Sequence, residues 1–465
     1  MNKTKIVCSI GPTSCDEKTL EKMIDAGMDV ARFNMSHGTH ESHKKMIDAV
    51  KTARANKKSA IGIMIDTKGP EIRIRQFENG KITLADGDKF TLTTKDVLGN
   101  QERVAITYKN LPKVLSKGTK ILLNDGYIEL RVEKTTASDI MCTVVHGGEL
   151  SNNKSINLPG VKTEMPYLSE QDKSDLVFAK EMDADFVAIS FVNYAEDVLE
   201  IRKFLKSINF TSPKIISKIE SEEGVKNFDK ILKYSDGIMV ARGDLGVEID
   251  FVRIPFLQKE FIRKCNENGK ITITATQMLE SMISSARPTR AEISDVANAV
   301  YDGSTNVMLS GETASGKFPV EAVSTMARIS LEAENYIEGL EDPIKTHDTS
   351  KSIGYAAYSL SRTDDIKAII AVTKTGDTAE NISRFRPNVP IIACTPSVKT
   401  YNQMSMLYGV VPVMDKNYKN IDELNRSSLE KAIESGYVQK GDKVVLVSGL
   451  VAGKRGSDFM MIKQL

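Results

Sequence analysis

Lys214-Ile-Ile-Ser-Lys-Ile-Glu-Ser-Glu-Glu-Gly224 and, shortly after it, Gly237-Ile-Met-Val-Ala-Arg-Gly-Asp-Leu-Gly246 decide how this chain folds. Each opens as an apolar, partly β-branched run of strand length and ends in charge and then glycine. That is the pattern of a buried parallel strand breaking out into a loop. Side chains alternate along a strand, so Lys218 and Glu220 leave one face about 7 Å apart. Asp244 ends the next run, and in a shared parallel sheet its carboxylate approaches that of Glu220. Two such carboxylates repel unless a cation lies between them. Few, hard oxygen donors suit Mg2+ or Mn2+ bound jointly with a phosphorylated substrate. Gly243-Asp244 also opens a short helical turn whose free N–H groups suit a carboxylate. Taken alone, either segment is equally an ordinary strand-end ion pair followed by a helix cap, so the other strands must decide.

Working outward, strands and helices alternate from the start of the chain. Thr4 to Ile10, Val30 to Ser36 and Ala60 to Thr67 read as strands, with helices over Asp16 to Ala26 and about Glu41 to Asn56. The alternation resumes at Ser169, with strands Phe186 to Val192, Lys214 to Glu220, Gly237 to Leu245, Ile271 to Thr276 and Asn306 to Glu312. Eight βα units over residues 1–69 and 164–340 match the roughly 250 residues of a (β/α)8 TIM barrel. An open doubly wound sheet fits the same periodicity. Between the two blocks, residues 70–163 carry short alternating runs separated by Asp86-Gly87-Asp88, Asn124-Asp125-Gly126 and His146-Gly147-Gly148. These predict hairpins, and so an inserted all-β domain, a small β-barrel hinged at Pro70 and Pro159-Gly160. Residues 341–465 hold a helix from Ser352 to Arg362 and five apolar runs, which predict a C-terminal open-sheet α/β domain.

At 465 residues, the chain is long enough for two or three domains. Sixty-three basic against 62 acidic side chains leave a net charge of +1, so no global field draws it to nucleic acid or membrane. Five scattered cysteines without a C-x-x-C imply reduced thiols and a cytoplasmic home. No charged-then-apolar leader opens the sequence and no run of about twenty apolar residues occurs, so neither export nor spanning is expected.

A barrel carries its site at the C-terminal ends of its strands. Those ends read Arg32, Asn34, Ser36, His37; Asp66, Thr67, Lys68; Ser190; Lys218, Glu220; Arg242, Asp244; Thr276, Gln277; Ser310, Glu312. Any one is a plausible cap or turn residue, but polarity at every end points to a functional ring. Asn34, Ser36, Asp66 and the Thr67 backbone suit a monovalent cation, or equally a plain hydrogen-bonded corner. His37, His40 and His43 read as a solvated run opening a helix rather than a zinc site. Thr373-Lys-Thr-Gly-Asp-Thr378 places hydroxyls, a lysine and N–H groups between strand and helix. It is either a phosphate cradle or a capped helix start.

Ala31-Arg-Phe-Asn-Met-Ser-His-Gly38, Ile65-Asp-Thr-Lys-Gly-Pro-Glu-Ile-Arg73, Ser217-Lys-Ile-Glu220, Met239-Val-Ala-Arg-Gly-Asp-Leu-Gly246, Ala275-Thr-Gln-Met-Leu-Glu-Ser281, Arg287-Pro-Thr-Arg-Ala-Glu292 and Leu309-Ser-Gly-Glu-Thr313 resemble pyruvate kinases, in order and along the whole chain. The resemblance implies phosphoryl transfer from phosphoenolpyruvate to ADP, giving pyruvate and ATP. It implies a divalent cation on Glu220 and Asp244, and K+ on Asn34, Ser36, Asp66 and Thr67, with Glu71 marking K+ dependence. Arg32, Arg73 and Lys218 would surround the transferred group, and Gly243, Asp244 and Thr276 would take the substrate carboxylate. Arg32, His37 and Lys154 would contact the nucleotide, with Asp125 a weaker candidate. Thr276, with Ser310 and Glu312 through water, would protonate the enolate.

Thr373, Lys374, Thr375, Gly376 and Thr378 match an effector loop, although Asp377 stands where several sugar-bisphosphate binders have a base and the chain has no Trp. A monophosphorylated sugar, a nucleotide or no effector fits that departure. A homotetramer is implied, and the extra phosphohistidine-type domain of some bacterial relatives is not expected. Two other readings use the same residues. One is a metal-dependent barrel lyase or aldolase working on a pyruvate enolate without nucleotide. The other is a non-catalytic metabolite sensor, against which the set Lys218, Glu220, Asp244 and Thr276 argues.

Overall fold

The computed structural model describes residues 2–337, 348–363, 365–449 and 457–465. Eight parallel strands close into a barrel: β1 (Lys5–Ser9), β2 (Val30–Asn34), β3 (Gly62–Asp66), β4 (Phe186–Ile189), β5 (Lys214–Ile219), β6 (Gly237–Ala241), β7 (Ile271–Ala275) and β8 (Asn306–Leu309). Each strand pairs with its successor and β8 returns to β1, so the sheet is closed and the open alternative is excluded.

Alternation divides each strand between two environments. Ile6, Cys8, Ala31, Phe33, Ile63 and Ile65 face outward and pack with helix residues such as Leu20, Met23, Ile47 and Val50. Val7, Val30, Met64, Ala188, Ile216 and Met308 fill the barrel interior. Two residues further along those same faces stand Ser9, Arg32, Asp66, Ser190, Lys218 and Ser310, so each strand changes from apolar to polar as it reaches the mouth. The surrounding helices start where capping chemistry allows. Asp16 accepts from the Thr19 N–H, and Thr39 with Ser42 and Thr289 with Glu292 form reciprocal capping boxes.

Three strands stop three or more residues before their predicted ends: β4, expected to reach Val192, ends at Ile189, and in the other two a helix takes over. β6 ends at Ala241 and the helix Arg242–Glu248 begins at once, which makes Asp244 a first-turn helical residue rather than a strand end. β8 ends at Leu309 and Glu312 lies in the helix Gly311–Ala314. At both boundaries the apolar run gives way to a polar, glycine-containing triplet, Arg242-Gly243-Asp244 and Ser310-Gly311-Glu312, and the helix starts there although the predicted strands ran through it.

Between β3 and β4 lies a seven-stranded sheet in the order Ile72–Arg73, Ser155–Asn157, Lys120–Leu123, Ile128–Thr135, Asp139–His146, Lys89–Thr93 and Arg103–Ala105. Of the three expected hairpin turns only Asn124-Asp125-Gly126 joins paired strands; Lys81–Leu84 pairs with Gly148–Ser151 instead, so neither 86–88 nor 146–148 closes a hairpin, and Lys89–Thr93 and Arg103–Ala105 run parallel. Its two edges meet: the Arg75 N–H donates to Ala105 O at 2.7 Å and the Thr107 N–H to Arg73 O at 2.9 Å. The sheet is thereby curled onto itself as a small barrel, with no open edge between those strands.

Beyond residue 348 five strands form an open sheet: β9 (Ile366–Val372), β10 (Ile391–Thr395), β11 (Val410–Met414), β12 (Lys443–Ser448) and β13 (Phe459–Gln464). Their order is β11-β10-β9-β12-β13, parallel except for β13. The predicted boundary at 340/341 falls outside the described residues. Met404, Met406 and Leu407 of this part join the buried cluster that fills the barrel interior. Asn306 Nδ2 donates to Met406 O at 3.2 Å and Lys5 Nζ to Val410 O at 3.0 Å. A Cβ on Gly62 would lie 2.6 Å from the Phe186 ring and 2.9 Å from Ser405 Oγ, so the C-terminal part is pressed against the barrel end opposite the polar ring.

Candidate active site

The polar ring is wired through Asp66. Arg32 Nε donates to Asp66 Oδ2 at 2.6 Å while its Nη1 donates to Ser9 Oγ at 2.7 Å. Lys218 Nζ donates to Asp66 Oδ1 at 3.2 Å and to Ser190 Oγ at 2.7 Å. Ser190 Oγ in turn donates to Thr67 O at 2.7 Å. Burial favours the neutral form of Asp66, but Arg32 and Lys218 outweigh it and hold the carboxyl below its usual range. For Lys218, burial likewise disfavours charge, and Asp66 with Glu220 overcomes it, so the ammonium is raised above the usual lysine range.

Glu220 is the exception. Its Oε2 accepts from the Phe191 N–H at 2.6 Å. Its Oε1 lies 3.0 Å from Lys218 Nζ, yet is buried and makes no hydrogen bond. Burial pushes this carboxyl up to about 8, Lys218 opposes the rise, and the negative charge of Asp244 adds to it. Lys218 and Glu220 are therefore an ion pair, as a plain strand end would have, but a fully buried one with an unsatisfied acceptor.

Glu220 and Asp244 line one cleft of about 380 Å3 together with Arg32, Asn34, Ser36, His37, Glu71, Arg73, Asp125 and Lys218. Its far wall is the inserted sheet, through Ser155, Ile156 and Asn157. Arg73 Nε pairs with Glu71 Oε2 at 2.8 Å, and its Nη1 donates to Asn153 O at 3.0 Å. Burial, then the Arg73 charge, lowers the His37 ring from its ordinary value. Asn34 and Asp66 are register partners on β2 and β3, and Asn34 Oδ1 accepts from the Ser36 N–H at 3.1 Å. Lys154 is not among the cleft residues, although its neighbour Ser155 is.

At the end of β7, Thr276 and Gln277 hold φ of 69° and 52°, and after β4 Phe191 holds 53°. A β-branched or bulky residue in the left-handed region is strained, and such strain gathers where backbone must point at a ligand. The Phe191 N–H meets Glu220 in this way. Thr276 Oγ1 accepts from the Gly243 N–H at 2.7 Å and donates to Ala275 O at 2.6 Å. The Gly243 amide expected to be free is thus occupied, because the turn at Thr276 brings its hydroxyl against the start of the helix. Ser310 Oγ is buried without a partner, and Glu312 accepts from the Ser310 and Leu279 N–H groups at 2.8 and 3.1 Å.

Other expected features resolve differently. His43 is buried, its Nε2 bonded to His37 O at 2.6 Å, and His40 pairs with Asp175 at 2.6 Å and stacks on Phe178, so these two are packed while His37 is exposed as expected. Helix Asp377–Ser383 is short, and the loop before it is tied internally: Thr373 Oγ1 accepts from the Gly376 N–H at 2.9 Å and Thr378 Oγ1 from Ser457 Oγ at 2.9 Å. Lys374 and Thr375 are exposed. Sequence reasoning missed the Phe191 amide and the Ser9 hydroxyl; the inward face of β1 was the available signal for Ser9, and nothing marks Phe191.

Fixed cations gathered around carboxylates in one cleft meet the need of a phosphoryl group in flight, whose charge spreads over its equatorial oxygens. A barrel built this way is a phosphotransferase in class. Residues 1–323 match the family model described as pyruvate kinase, barrel domain, and residues 351–463 the one described as pyruvate kinase, alpha/beta domain. The pyruvate kinase of Clostridium perfringens (strain 13 / Type A) is 44% identical over 469 residues, covering 99% of both chains. Those of Staphylococcus haemolyticus (strain JCSC1435) and Staphylococcus aureus (strain MRSA252) are each 45% identical over 468 residues, covering 99% of this chain and 80% of theirs. This chain belongs to the pyruvate kinase family.

It is a kinase of phosphoenolpyruvate and ADP/ATP in glycolysis, and neither the lyase nor the sensor reading is favoured. The family generally depends on a divalent metal and on K+. Among the described residues no helix is long and apolar enough to cross a membrane.

Proposed function

We propose that transfer takes place in the cleft over Lys218, whose ammonium, with Arg32 and Arg73, surrounds the phosphoryl group between phosphoenolpyruvate and ADP. The observation that carries this reading is the buried Lys218 Nζ, 2.7 Å from Ser190 Oγ, 3.2 Å from Asp66 Oδ1 and 3.0 Å from Glu220 Oε1, in a cleft that both arginines also line.

Glu220 and Asp244 fit a divalent cation, Mg2+ or Mn2+. Glu220 Oε1 is a buried acceptor without a hydrogen bond, and Asp244 raises its pKa across the shared cleft. Among the described residues no group of three or more His, Cys, Asp and Glu is placed to hold a metal. That favours a cation whose shell substrate oxygens and water complete, rather than an all-protein cage. Such an ion would neutralise charge on the substrate carboxylate and phosphate. Asn34, Ser36, Asp66 and Thr67 would hold K+, supported by the side-by-side register of Asn34 and Asp66.

The substrate carboxylate is assigned to the Gly243 and Asp244 amides, the first of which it would take over from Thr276 Oγ1. Thr276 then stands ready to protonate the enolate, with Ser310 and Glu312 behind it; the unpartnered Ser310 hydroxyl supports a water relay. Arg32 and His37 line the cleft with Asp125 and would face the nucleotide; Lys154, outside the cleft lining, would have to swing in from beside Ser155.

In this reading residues 1–69 and 164–340 are the catalytic barrel, 70–163 a lid and 341–465 a regulatory and oligomerisation domain. Thr373, Lys374, Thr375, Gly376 and Thr378 would form the effector loop for a sugar phosphate or nucleotide. A cytoplasmic homotetramer is proposed, and the exposed Phe251, Val252 and Phe256, at 72, 54 and 77% exposure, support a subunit contact. Pyruvate release from phosphoenolpyruvate, followed with ADP, Mg2+ and K+ each present or omitted, tests the chemistry. Release that continued without ADP would overturn it.

A further inference from the structure

A second cavity, of about 590 Å3, opens between the barrel and the C-terminal sheet, away from the active cleft. Four cations line it: Lys233, Lys270, Lys351 and Arg384. None has a carboxylate partner within 4.0 Å among the described residues. The two acids that line it are already engaged, Asp229 with Lys264 at 2.9 Å and Glu380 with Lys214. Arg384 donates through Nη2 to Glu267 O at 2.8 Å, but its Nε is buried with no partner. Gly269, at φ 64°, makes room for this guanidinium, since a Cβ there would lie 3.1 Å from Arg384 Cζ.

The cavity leads into an inner chamber of about 20 Å3 that shares Gly269, Lys270, Glu380 and Arg384 with it. Arg386 lines this chamber and is only 7% exposed. Its Nη1 donates to Gly303 O at 2.7 Å, whereas its Nη2 is buried without a partner. Like charges held together without ion pairs, the two arginines offset by the Phe385 and Tyr408 rings but each with an N–H unsatisfied among the described residues, gain from an anion that joins them.

We propose that this crevice binds a small phosphorylated metabolite with a polyhydroxylated body, its phosphate held by Arg384, Lys270 and Lys351. A phosphate matches several cations at once and offers acceptors enough for guanidinium and ammonium groups. The volume lies in the range of small-molecule sites and exceeds a bare ion. Asn381 and the side-chain carbonyl of Asn268, whose NH2 already donates to Lys264 O at 2.8 Å, offer polar groups to hydroxyls, and Leu232 is the sole apolar side chain of the lining, which disfavours a stacked base. None of Thr373, Lys374, Thr375, Gly376 or Thr378 lines it, so the crevice is separate from the effector loop. Gly269 and Lys270 directly precede β7, at whose other end stands Thr276, so an occupant adjoins a strand that reaches the active site.

Calorimetric titration of the full chain with glucose 6-phosphate tests the site, using Lys233→Met/Lys351→Met, Lys374→Met and Arg384→Met variants. Neither lysine in the first variant has an ion pair or side-chain hydrogen bond among the described residues, Lys233 making only a cation–π contact with the Tyr234 ring at 5.5 Å, so the variant is expected to keep the fold; Arg384 also ties two elements together, and its variant is read with a melting curve. The expected result is a Kd raised about tenfold or more in the lysine pair, the scale for losing charged hydrogen bonds, and unchanged in Lys374→Met. Binding that is absent from the wild type, indifferent to the lysine pair or abolished by Lys374→Met overturns the proposal.

Discussion

The Asn157 side-chain amide donates to Glu248 Oε1 at 3.0 Å, joining the last strand of the inserted sheet to the helix that carries Gly243 and Asp244. A Cβ on the hairpin residue Gly126 would lie 3.4 Å from Val247 of the same helix. One short helix thus carries the amides proposed for the substrate on one side and meets the opposite wall of the cleft on the other.

Glu248→Ala leaves the buried Asn157 amide without its acceptor, a loss of about 1–3 kcal/mol. The expected outcome is a rise of about tenfold in KM for ADP with a smaller change for phosphoenolpyruvate, and near-complete recovery in Glu248→Gln, which still accepts. Steady-state kinetics with each substrate varied checks this; equal effects of both substitutions would count against the contact.

Lys218→Met removes the ammonium that three oxygens surround. We expect kcat to fall by at least about 10²-fold, the usual scale for one electrostatic group of a transition state. Coupled turnover at saturating substrates measures it, and activity near wild type removes Lys218 from the mechanism.

Glu71 pairs with Arg73 beside the proposed K+ donors. The chain should require K+, and Glu71→Lys, which places a fixed cation there, should make activity largely independent of it. Rates in K+ against tetramethylammonium salts decide, and a Glu71→Lys enzyme that kept full K+ dependence would refute the assignment.

Thr276 stabilises the Gly243 N–H while itself held at φ 69°. Thr276→Val removes the hydroxyl and keeps the shape, so a melting point lowered by a few degrees is expected from about 1–3 kcal/mol, together with a loss of kcat. Thr276→Ser keeps the hydroxyl and should stay close to wild type in both.

The barrel and the core of its site were legible because alternation is a local property. Apolar Ile216 followed by Lys218 and Glu220 fixes which side chains face inward whatever the rest of the chain does. What stayed hidden depends on non-local contacts. The parallel pairing of Lys89–Thr93 with Arg103–Ala105 and the meeting of Arg75 with Ala105 have no signal in spacing. The burial of His43 against Phe33 comes from packing, and polarity alone suggested a wet surface. The Gly243 amide looked free because helix starts leave donors open; only the left-handed turn at Thr276 reveals its occupant. Asn157 and Glu248 are 91 positions apart, and nothing in either neighbourhood names the other.

Met404, Met406 and Leu407 sit in the same apolar mass as Val7, Met64 and Ile216. As synthesis proceeds, all eight staves leave the ribosome before the residues that stopper their lower opening. Until then the greasy floor stands uncovered, and the nascent chain depends on chaperones or speed to avoid sticking to its neighbours. Cutting the polypeptide after the barrel would recreate that unfinished intermediate rather than release a self-sufficient enzyme.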